Sequence, residues 1–485
     1  MTNHLRPEGF ASRKPFGSIV IALALISAGA YLAFAGARGF PLDDAWIHQV
    51  YARNLGTRGE FAFFAGQPSA GSTSPLWTIL LSLGYILHID FRAWAYLLGA
   101  ILLAASALFA ARLANQIFPP ALFTVHCSLF TLFEWHLAWS AVSGMEIPLF
   151  IFLSLLLLER FFGRAHPFLL GLIGALLTLT RPEGIVLVAL IFGKILFERR
   201  IRDLGFGILG FGIFLTPYLV FNLHTNGTLL PNTFYAKNVE YAILFERAPF
   251  ILRWFELVSV PWVGAQMLLL PGFVFITARL IRARDWRALI PVAWIVILPA
   301  LYASRLPVTY QHGRYEMPVI PFIAIYGIVG TVELFARIRL RVARRVCGAT
   351  IAATLIAFWL IGANAYANDV AFIDCEMVQS ARWIADSAPR DARVAAHDIG
   401  ALGYLYDQPF IDLAGLVTPQ VIPFLRDEGR LRDYLFSRQT THAIFFPDWY
   451  PALARDSRFV PVFQTNCALT RELGGMNMMI YKIVP

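Results

Sequence analysis

The chain has 485 residues, 58% of them hydrophobic and only 15% charged, with a mean hydropathy of +0.61. A soluble domain of that make-up would expose too much apolar surface, so the bilayer must be the solvent for most of it. The formal net charge is +9, but the basic residues fall in short clusters between apolar runs. That is the pattern of cytoplasmic loops and excludes a nucleic-acid surface.

Apolar segments of spanning or near-spanning length are expected at 16–35, 75–89, 93–112, 119–139, 146–162, 167–180, 183–197, 204–222, 251–278, 288–304, 315–336 and 346–367. The first is long enough to span, and no A-x-A site ends it, so it reads as a retained helix and not as a cleaved signal. No repeat of fixed period is visible. Arg6, Arg13 and Lys14 precede the first segment, and later basic clusters are "ERRIR" (198–202), "RLIRARDWR" (279–287) and "RIRLRVARR" (337–345). Placing these in the cytoplasm leaves a first outer loop at 37–74 outside, with "SGMEIP", "TRPEG", "NGTLLPNTFYAK", "RLPVTYQHGRYE" and everything after about 367. Between Ser74, outside, and Arg112, inside, lie two apolar segments where one crossing is needed. Either 75–89 or 93–112 is then re-entrant or interfacial, and the total is 11 spans or a re-drawn 12.

The expected fold is a polytopic α-helical membrane protein, with roughly 11–13 helices over residues 1–367 and a small extracytoplasmic α/β domain over 368–485. In the latter, "DARVAAHDIGALGYLYDQPFIDLAGL" reads as strand, turn, helix or strand, then strand, and "THAIFFP" and "MNMMIYKIVP" as further strands. Cys127 and Cys347 lie in apolar segments and read as packing residues. Cys375 and Cys467 lie in the polar C-terminal part; a disulfide between them and two unpaired thiols are both open.

The polar, motif-like stretches all fall on one side of this scheme, which points to a single site there. In "LDDAWIHQVYARNL", Trp46, Ile47, Val50, Tyr51 and Leu55 share one helical face, with His48, Gln49 and Arg53 off it. This predicts an amphipathic helix lying in the membrane interface, with Asp43 and Asp44 at its N-terminus. One aspartate suffices as a cap; the other needs a role, and Asp44 is the preferred catalytic candidate. "GQPSAGSTSPLW" offers hydroxyls and amides to a sugar or phosphate, and reads equally well as a plain loop. Glu146 stands at the mouth of a span, and Arg181 and Glu183 flank a proline between two short ones; an ion pair among such charges is one reading, an anionic lipid headgroup on Arg181 another. Asn232, Thr233, Tyr235 and Lys237, then His312, Arg314, Tyr315 and Glu316, add polar groups at the same surface, with Lys237 as a candidate phosphate ligand. There is no HExxH, CxxC or DxD arrangement, no Walker A and no dinucleotide fingerprint, so no metal ligand set is expected, and whether a divalent cation assists stays open.

The order of these motifs resembles the GT-C-type integral-membrane glycosyltransferases. Within that class, "DDAWIHQVYARNL…GQPSAGSTSPLW", "SGMEIPLF", "TRPEG", "PNTFYAK" and "DIGALGYL…IDLAGL" are most similar to the mycobacterial terminal arabinofuranosyltransferases and their bacterial relatives, over almost the whole chain. The resemblance implies an inverting transfer from a polyprenyl-phosphate-linked sugar to a glycan, lipid or protein acceptor, at the outer face of the inner (plasma) membrane. It implies Asp44 or Asp43 as general base, Arg181, Lys237 and Arg314 on the donor phosphate, and Glu146 and Asn232 on sugar hydroxyls, with Glu183, Tyr235, His312 and Tyr315 as further substrate contacts. The C-terminal part is too short for the separate carbohydrate-binding module of the larger relatives, and no residue selects arabinofuranose over another sugar. Competing readings are a lipid-linked oligosaccharide ligase or polymerase, a protein O-glycosyltransferase, a lipid-linked sugar transporter and a membrane-anchored assembly protein.

Overall fold

The computed structural model describes residues 14–36, 39–118 and 123–484; Arg6 and Arg13 of the N-terminal basic cluster lie outside the described residues. Six helical runs among the described residues are long and apolar enough to cross a membrane: Phe16–Ala35, Phe91–Ile117, Ile201–Asn226, Ala265–Arg282, Tyr310–Arg337 and Arg341–Ser387. Five shorter apolar helices, Pro75–Ile86, Thr124–Phe133, Pro167–Thr180, Gly184–Phe197 and Ile290–Arg305, complete the set, together with Ile147–Phe162. Large apolar side chains remain outward-facing on these helices; Ile208, Leu209, Ile213 and Phe214 of Ile201–Asn226 are all exposed, as helices that face lipid require.

The two segments between Ser74 and Arg112 differ in length. Phe91–Ile117 has 27 residues, a rise of about 40 Å, whereas Pro75–Ile86 has 12, about 18 Å against a hydrocarbon core of roughly 30 Å. Of the two, Phe91–Ile117 alone is long enough to cross a hydrocarbon core. Pro75 at the first turn starts the short helix without losing a needed amide.

The helix Asp43–Arg58 forms as the periodicity predicts, but it does not lie half-exposed at an interface. Trp46, Ile47, Val50 and Tyr51 are buried, and so are His48, Gln49, Ala52 and Asn54 from its polar side. The chain after it folds back as a small hairpin, β1 (Ala62–Phe64) against β2 (Gln67–Pro68), and Asn54 donates to the carbonyls of Ala62 and Phe63 at 2.9 Å each. The C-terminal domain covers the rest of the polar face.

That domain carries five strands: β3 (Val394–Ala396), β4 (Ile411–Asp412), β5 (His442–Phe445), β6 (Phe459–Gln464) and β7 (Met479–Ile483). Their order is β4-β3-β5-β7-β6. β3 runs parallel to β4 and β5, and β7 runs antiparallel to β5 and β6. Helices connect the parallel strands, as such crossovers demand. Leu431, Leu435, Phe445, Leu453, Phe459 and Tyr481 form its own core, with Phe445 and Tyr481 stacked at 4.8 Å between centroids.

No break marks residue 367. The stalk helix Arg341–Ile373 passes through it and continues as a π-helical turn, Asp374–Val378, into Gln379–Ser387. The wide turn places Glu376 fully inside the domain. Its carboxylate accepts from Asn477 Nδ2 at 2.6 Å, from the Met478 amide at 3.0 Å, and from the hydroxyls of Thr465 and Thr470. The neighbouring Cys375 and Cys467 are free thiols in hydrogen-bond contact with each other.

Glu376 is the main polar tie between the stalk and the sheet. Glu376→Leu removes the acceptor of four donors. Thr465 and Asn477 keep the carbonyls of Met478 and Cys467, whereas the Thr470 hydroxyl and the Met478 amide lose their partner, at about 1–3 kcal/mol for each that stays buried. We expect the C-terminal domain to melt at least 5 °C earlier in detergent (about 1 kcal/mol at this domain size), followed by tryptophan fluorescence. An unshifted transition would show that Glu376 does not anchor the domain.

Candidate active site

An open cleft, about 900 Å³ including the solvent space at its mouth, lies where the loops of the membrane helices meet the C-terminal domain. Asp44, Glu146, Arg181, Glu183, Lys237, Arg314 and Tyr315, seven of the residues singled out in the sequence, all line it. They arrive on separate elements. Asp44 is on the first turn of Asp43–Arg58, Glu146 immediately precedes Ile147–Phe162, and Arg181 and Glu183 bridge Pro167–Thr180 and Gly184–Phe197. Lys237 sits on the short helix Asn232–Glu240.

Two ionic clusters share the cleft. In the first, Arg314 Nη2 donates to Asp44 Oδ2 at 2.6 Å, and Lys237 Nζ stands 3.8 Å from the same oxygen. Both cations also donate to the Tyr315 hydroxyl, at 3.1 and 3.3 Å. In the second, Arg181 Nη1 donates to Glu146 Oε1 at 2.7 Å and Nη2 to the Tyr302 hydroxyl at 2.9 Å, with Glu183 3.6 Å from Nε. His48 Nε2 lies 3.1 Å from the other Glu146 oxygen. The Arg181 guanidinium sits 4.8 Å over the Tyr315 ring and joins the clusters.

These charges set the protonation of the carboxylates. Burial pushes Asp44 up, but Lys237 and then Arg314 hold it far below the usual carboxylate range. Burial likewise raises Glu146, and the His48 hydrogen bond with the Arg181 charge draws it down to about 2. Desolvation acts against the Lys237 ammonium, yet Tyr315 and Asp44 raise it. Arg314 is only 3% exposed, and its Nε and Nη1 have no hydrogen-bond partner among the described residues. The chain reaches it through three consecutive left-handed residues, Gln311 (φ 55°), His312 (φ 60°) and Gly313 (φ 63°). A glycine is required at the last, since a Cβ there would meet Val260 at 2.1 Å. Such a run is uncommon and strained in non-glycine residues.

Several expected site residues stand elsewhere. The turn points His312 away from the cleft, where Nε2 meets Asp369 of the stalk at 2.7 Å beside Trp135 and Trp139. Asn232 accepts from Asn226 at 3.0 Å, Tyr235 is surface-exposed against Phe234, and neither lines the cleft. Glu316 is fully buried behind Arg314. Among the described residues no group of three His, Cys, Asp or Glu is arranged to hold a metal ion; each cleft carboxylate already faces a Lys or Arg. Conversely, His48, Ser72, Thr73, Thr233, Tyr302 and Arg305 line the cleft. Thr233 and the Ser72–Thr73 loop had a compositional signal, whereas Tyr302 sits inside an apolar run and had none.

Asp43 also leaves the site and does not cap its own helix, whose N-cap is Leu42 with no side-chain bond. Instead it caps the short helix Gly400–Leu405 of the C-terminal domain: Oδ2 accepts from the Gly400 amide at 2.6 Å and Oδ1 from Ala401 at 2.8 Å. At the other end Arg53 donates to the carbonyls of Tyr404 (2.8 Å) and Gly403 (3.3 Å). One helix thus holds both ends of another with the charge signs its dipole favours. The fit needs glycine at 400, where a Cβ would lie 2.0 Å from the Asp43 carbonyl oxygen. Burial raises the Asp43 carboxyl to about 6, against the two amide bonds and with a further push from Asp44.

The architecture matches solved structures. ArnT from Cupriavidus metallidurans bound to undecaprenyl phosphate superimposes with a TM-score of 0.61 at 14% identity, covering 98% of this chain and 99% of that one. The oligosaccharyltransferase AglB from Archaeoglobus fulgidus gives 0.58 at 11% identity over 90% of this chain and 70% of that one. The arabinofuranosyltransferase AftD from Mycobacteria gives 0.50 at 13%, over 98% of this chain and 42% of that one. A domain-of-unknown-function model (DUF8728) matches residues 371–481, and no curated protein matches the chain by sequence.

The two adjacent aspartates should respond differently to substitution. Asp43→Ala removes both cap acceptors, about 1 kcal/mol, and should speed hydrogen exchange at 400–405 about fivefold. Asp43→Asn keeps an acceptor without the disfavoured charge and should stay within about twofold. Unchanged exchange in Asp43→Ala would rule out the cap. The chain is a multi-pass membrane protein with a GT-C-type glycosyltransferase fold.

Proposed function

We propose that the cleft is the catalytic centre of a glycosyltransferase that moves a sugar from a polyprenyl-phosphate-linked donor to a hydroxyl of a glycan, lipid or protein acceptor. The observation that carries this reading is Asp44 held between Arg314 and Lys237, a carboxylate beside two cations in one cleft. The phosphate would lie on Lys237 and Arg314, whose Nε and Nη1 are unpartnered donors. The acceptor oxygen attacks the anomeric carbon, its proton passes to Asp44, and the sugar–phosphate C–O bond breaks opposite the attack, inverting the centre. The leaving phosphate's charge grows against cations already in place. Asp43, as a cap, has no part in the chemistry.

Orientation follows from where the helices end. Gly184–Phe197 starts beside Arg181 and Glu183 in the cleft and ends at the basic cluster 198–202. Ile290–Arg305 starts after 279–287 and ends at Arg305 in the cleft, and Ile320–Arg337 starts after Arg314 and Tyr315 and ends at 337–345. Each thus runs between the cleft and a basic cluster. With those clusters cytoplasmic, the cleft and the C-terminal domain face outward from the plasma membrane, where donors must carry their own activation. Polyprenyl-phosphate arabinofuranose is the first donor to test, because the AftD structure belongs to an arabinofuranosyltransferase.

The test is transfer in detergent from a panel of radiolabelled polyprenyl-phosphate sugars. Asp44→Asn should lower transfer about 10³-fold, the range of a lost general base. It should also bind bare polyprenyl phosphate at least as tightly as the unchanged protein, because it frees two cations. Arg314→Gln should weaken that binding about 10- to 100-fold, the loss of a charge-assisted hydrogen bond. Full transfer by Asp44→Asn would overturn the base assignment, and no transfer from any donor would overturn the enzyme reading.

A further inference from the structure

His48 stands one turn after Asp44 on the helix Asp43–Arg58, so both side chains share a face. It lines the same cleft and is only 5% exposed. Its Nε2 is 3.1 Å from Glu146 Oε2, while Arg181 occupies the other oxygen of that carboxylate at 2.7 Å. An ionised carboxylate only accepts, so Nε2 carries the proton in the Nε2–H tautomer that this contact selects. The remaining nitrogen, Nδ1, is then an acceptor. It is buried and has no hydrogen-bond partner among the described residues, at a cost no well-packed interior leaves without reason. No cation of the cleft is within hydrogen-bond reach of it. A ligand hydroxyl can pair with it.

We propose that His48, fixed in one tautomer by Glu146 and Arg181, is a specificity-determining residue that accepts a hydrogen bond from a hydroxyl of the donor sugar through Nδ1. The assignment rests on the glycosyltransferase reading of this cleft. It gives Glu146 a different part from direct sugar contact: Glu146 orients the imidazole, much as a carboxylate orients a catalytic histidine. It also names the donor class. The transferred sugar carries a free hydroxyl that reaches the wall between Asp44 and Glu146, and a deoxy sugar lacking it is discriminated against, because Nδ1 would then stay unpaired.

The experiment compares binding of radiolabelled polyprenyl-phosphate sugar with that of bare polyprenyl phosphate, in the unchanged protein, His48→Gln and His48→Asn. Bare polyprenyl phosphate is a monoester with more negative charge than the glycosylated diester, so the change of the affinity ratio between variants, and not its absolute size, reports the sugar contact. Gln places its amide where Nε2 meets Glu146 and leaves nothing at Nδ1; Asn places its amide oxygen near Nδ1. The ratio of glycosylated to bare lipid affinity should fall about tenfold in His48→Gln (one hydrogen bond), and His48→Asn should restore part of it. The mono-deoxy donor lacking the contacted hydroxyl should bind the unchanged protein and His48→Gln with the same small ratio. A ratio unchanged in His48→Gln, or equal losses in His48→Gln and His48→Asn, would overturn the role of His48 while leaving the enzyme reading standing. Failure of the unchanged protein to bind either lipid would overturn both.

Discussion

The structure depends on neutralising buried charge where the membrane helices end. Arg181, Arg314 and Glu146 are each less than a tenth exposed, and an unpaired ion at such depth is prohibitive. Three cations, Arg181, Lys237 and Arg314, are matched by three carboxylates, Asp44, Glu146 and Glu183. No two partners across an Arg–Asp or Arg–Glu contact come from the same loop, apart from Arg181 and Glu183. Pairing the charges therefore requires the loops after at least four different helices to converge. Hydrophobic length decides which segments are helices; the charges decide which of their ends meet.

The same constraint explains the C-terminal domain's place. The helix bearing Asp44 has polar residues on nearly every side, and lipid would satisfy none of them. Asp43 and Arg53 are satisfied by the two ends of Gly400–Leu405, and Glu376 by hydroxyls and amides around β7. The domain thus completes the wall of the site, with Leu416 reaching the cleft itself. Moving it would unpair Asp43 and leave a second negative charge beside Asp44. Two neighbouring carboxylates can coexist because one faces amide dipoles and the other faces cations.

Much of this was legible in the sequence, because ionisable residues in an apolar chain have few reasons to be there. That argument found Asp44, Glu146, Arg181, Glu183, Lys237, Arg314 and Tyr315. It did not distinguish Asp43 from Asp44, since adjacent helical residues point about 100° apart and nothing local says which direction meets the second domain. It placed His312 with Arg314, although the left-handed turn between them sends the two to opposite sides. His48 was assigned to the solvent side of an amphipathic helix; the period was right, but the solvent side was occupied by protein. β6 passed unnoticed because its side chains are mostly exposed and Pro461 interrupts it, as at a sheet edge.

The charge balance also bears on the proposed reaction. Arg181, Lys237 and Arg314 are balanced by Asp44, Glu146 and Glu183, with Arg305 as a further cation on the cleft wall, and Asp44 serves Arg314 and Lys237 as counter-ion. A donor phosphate brings one negative charge more, and the two cations cannot satisfy both oxyanions as fully as one. Sharing them weakens the pull that holds the Asp44 carboxyl low, so its proton affinity rises when the donor is in place. Taking the acceptor's proton then removes the charge of Asp44 just as the phosphate gains the charge of the broken bond, so transfer leaves the net charge of the cleft unchanged. Donor binding and base activation are in this way the same electrostatic event, and an acceptor arriving first would meet a carboxylate too well paired to take its proton.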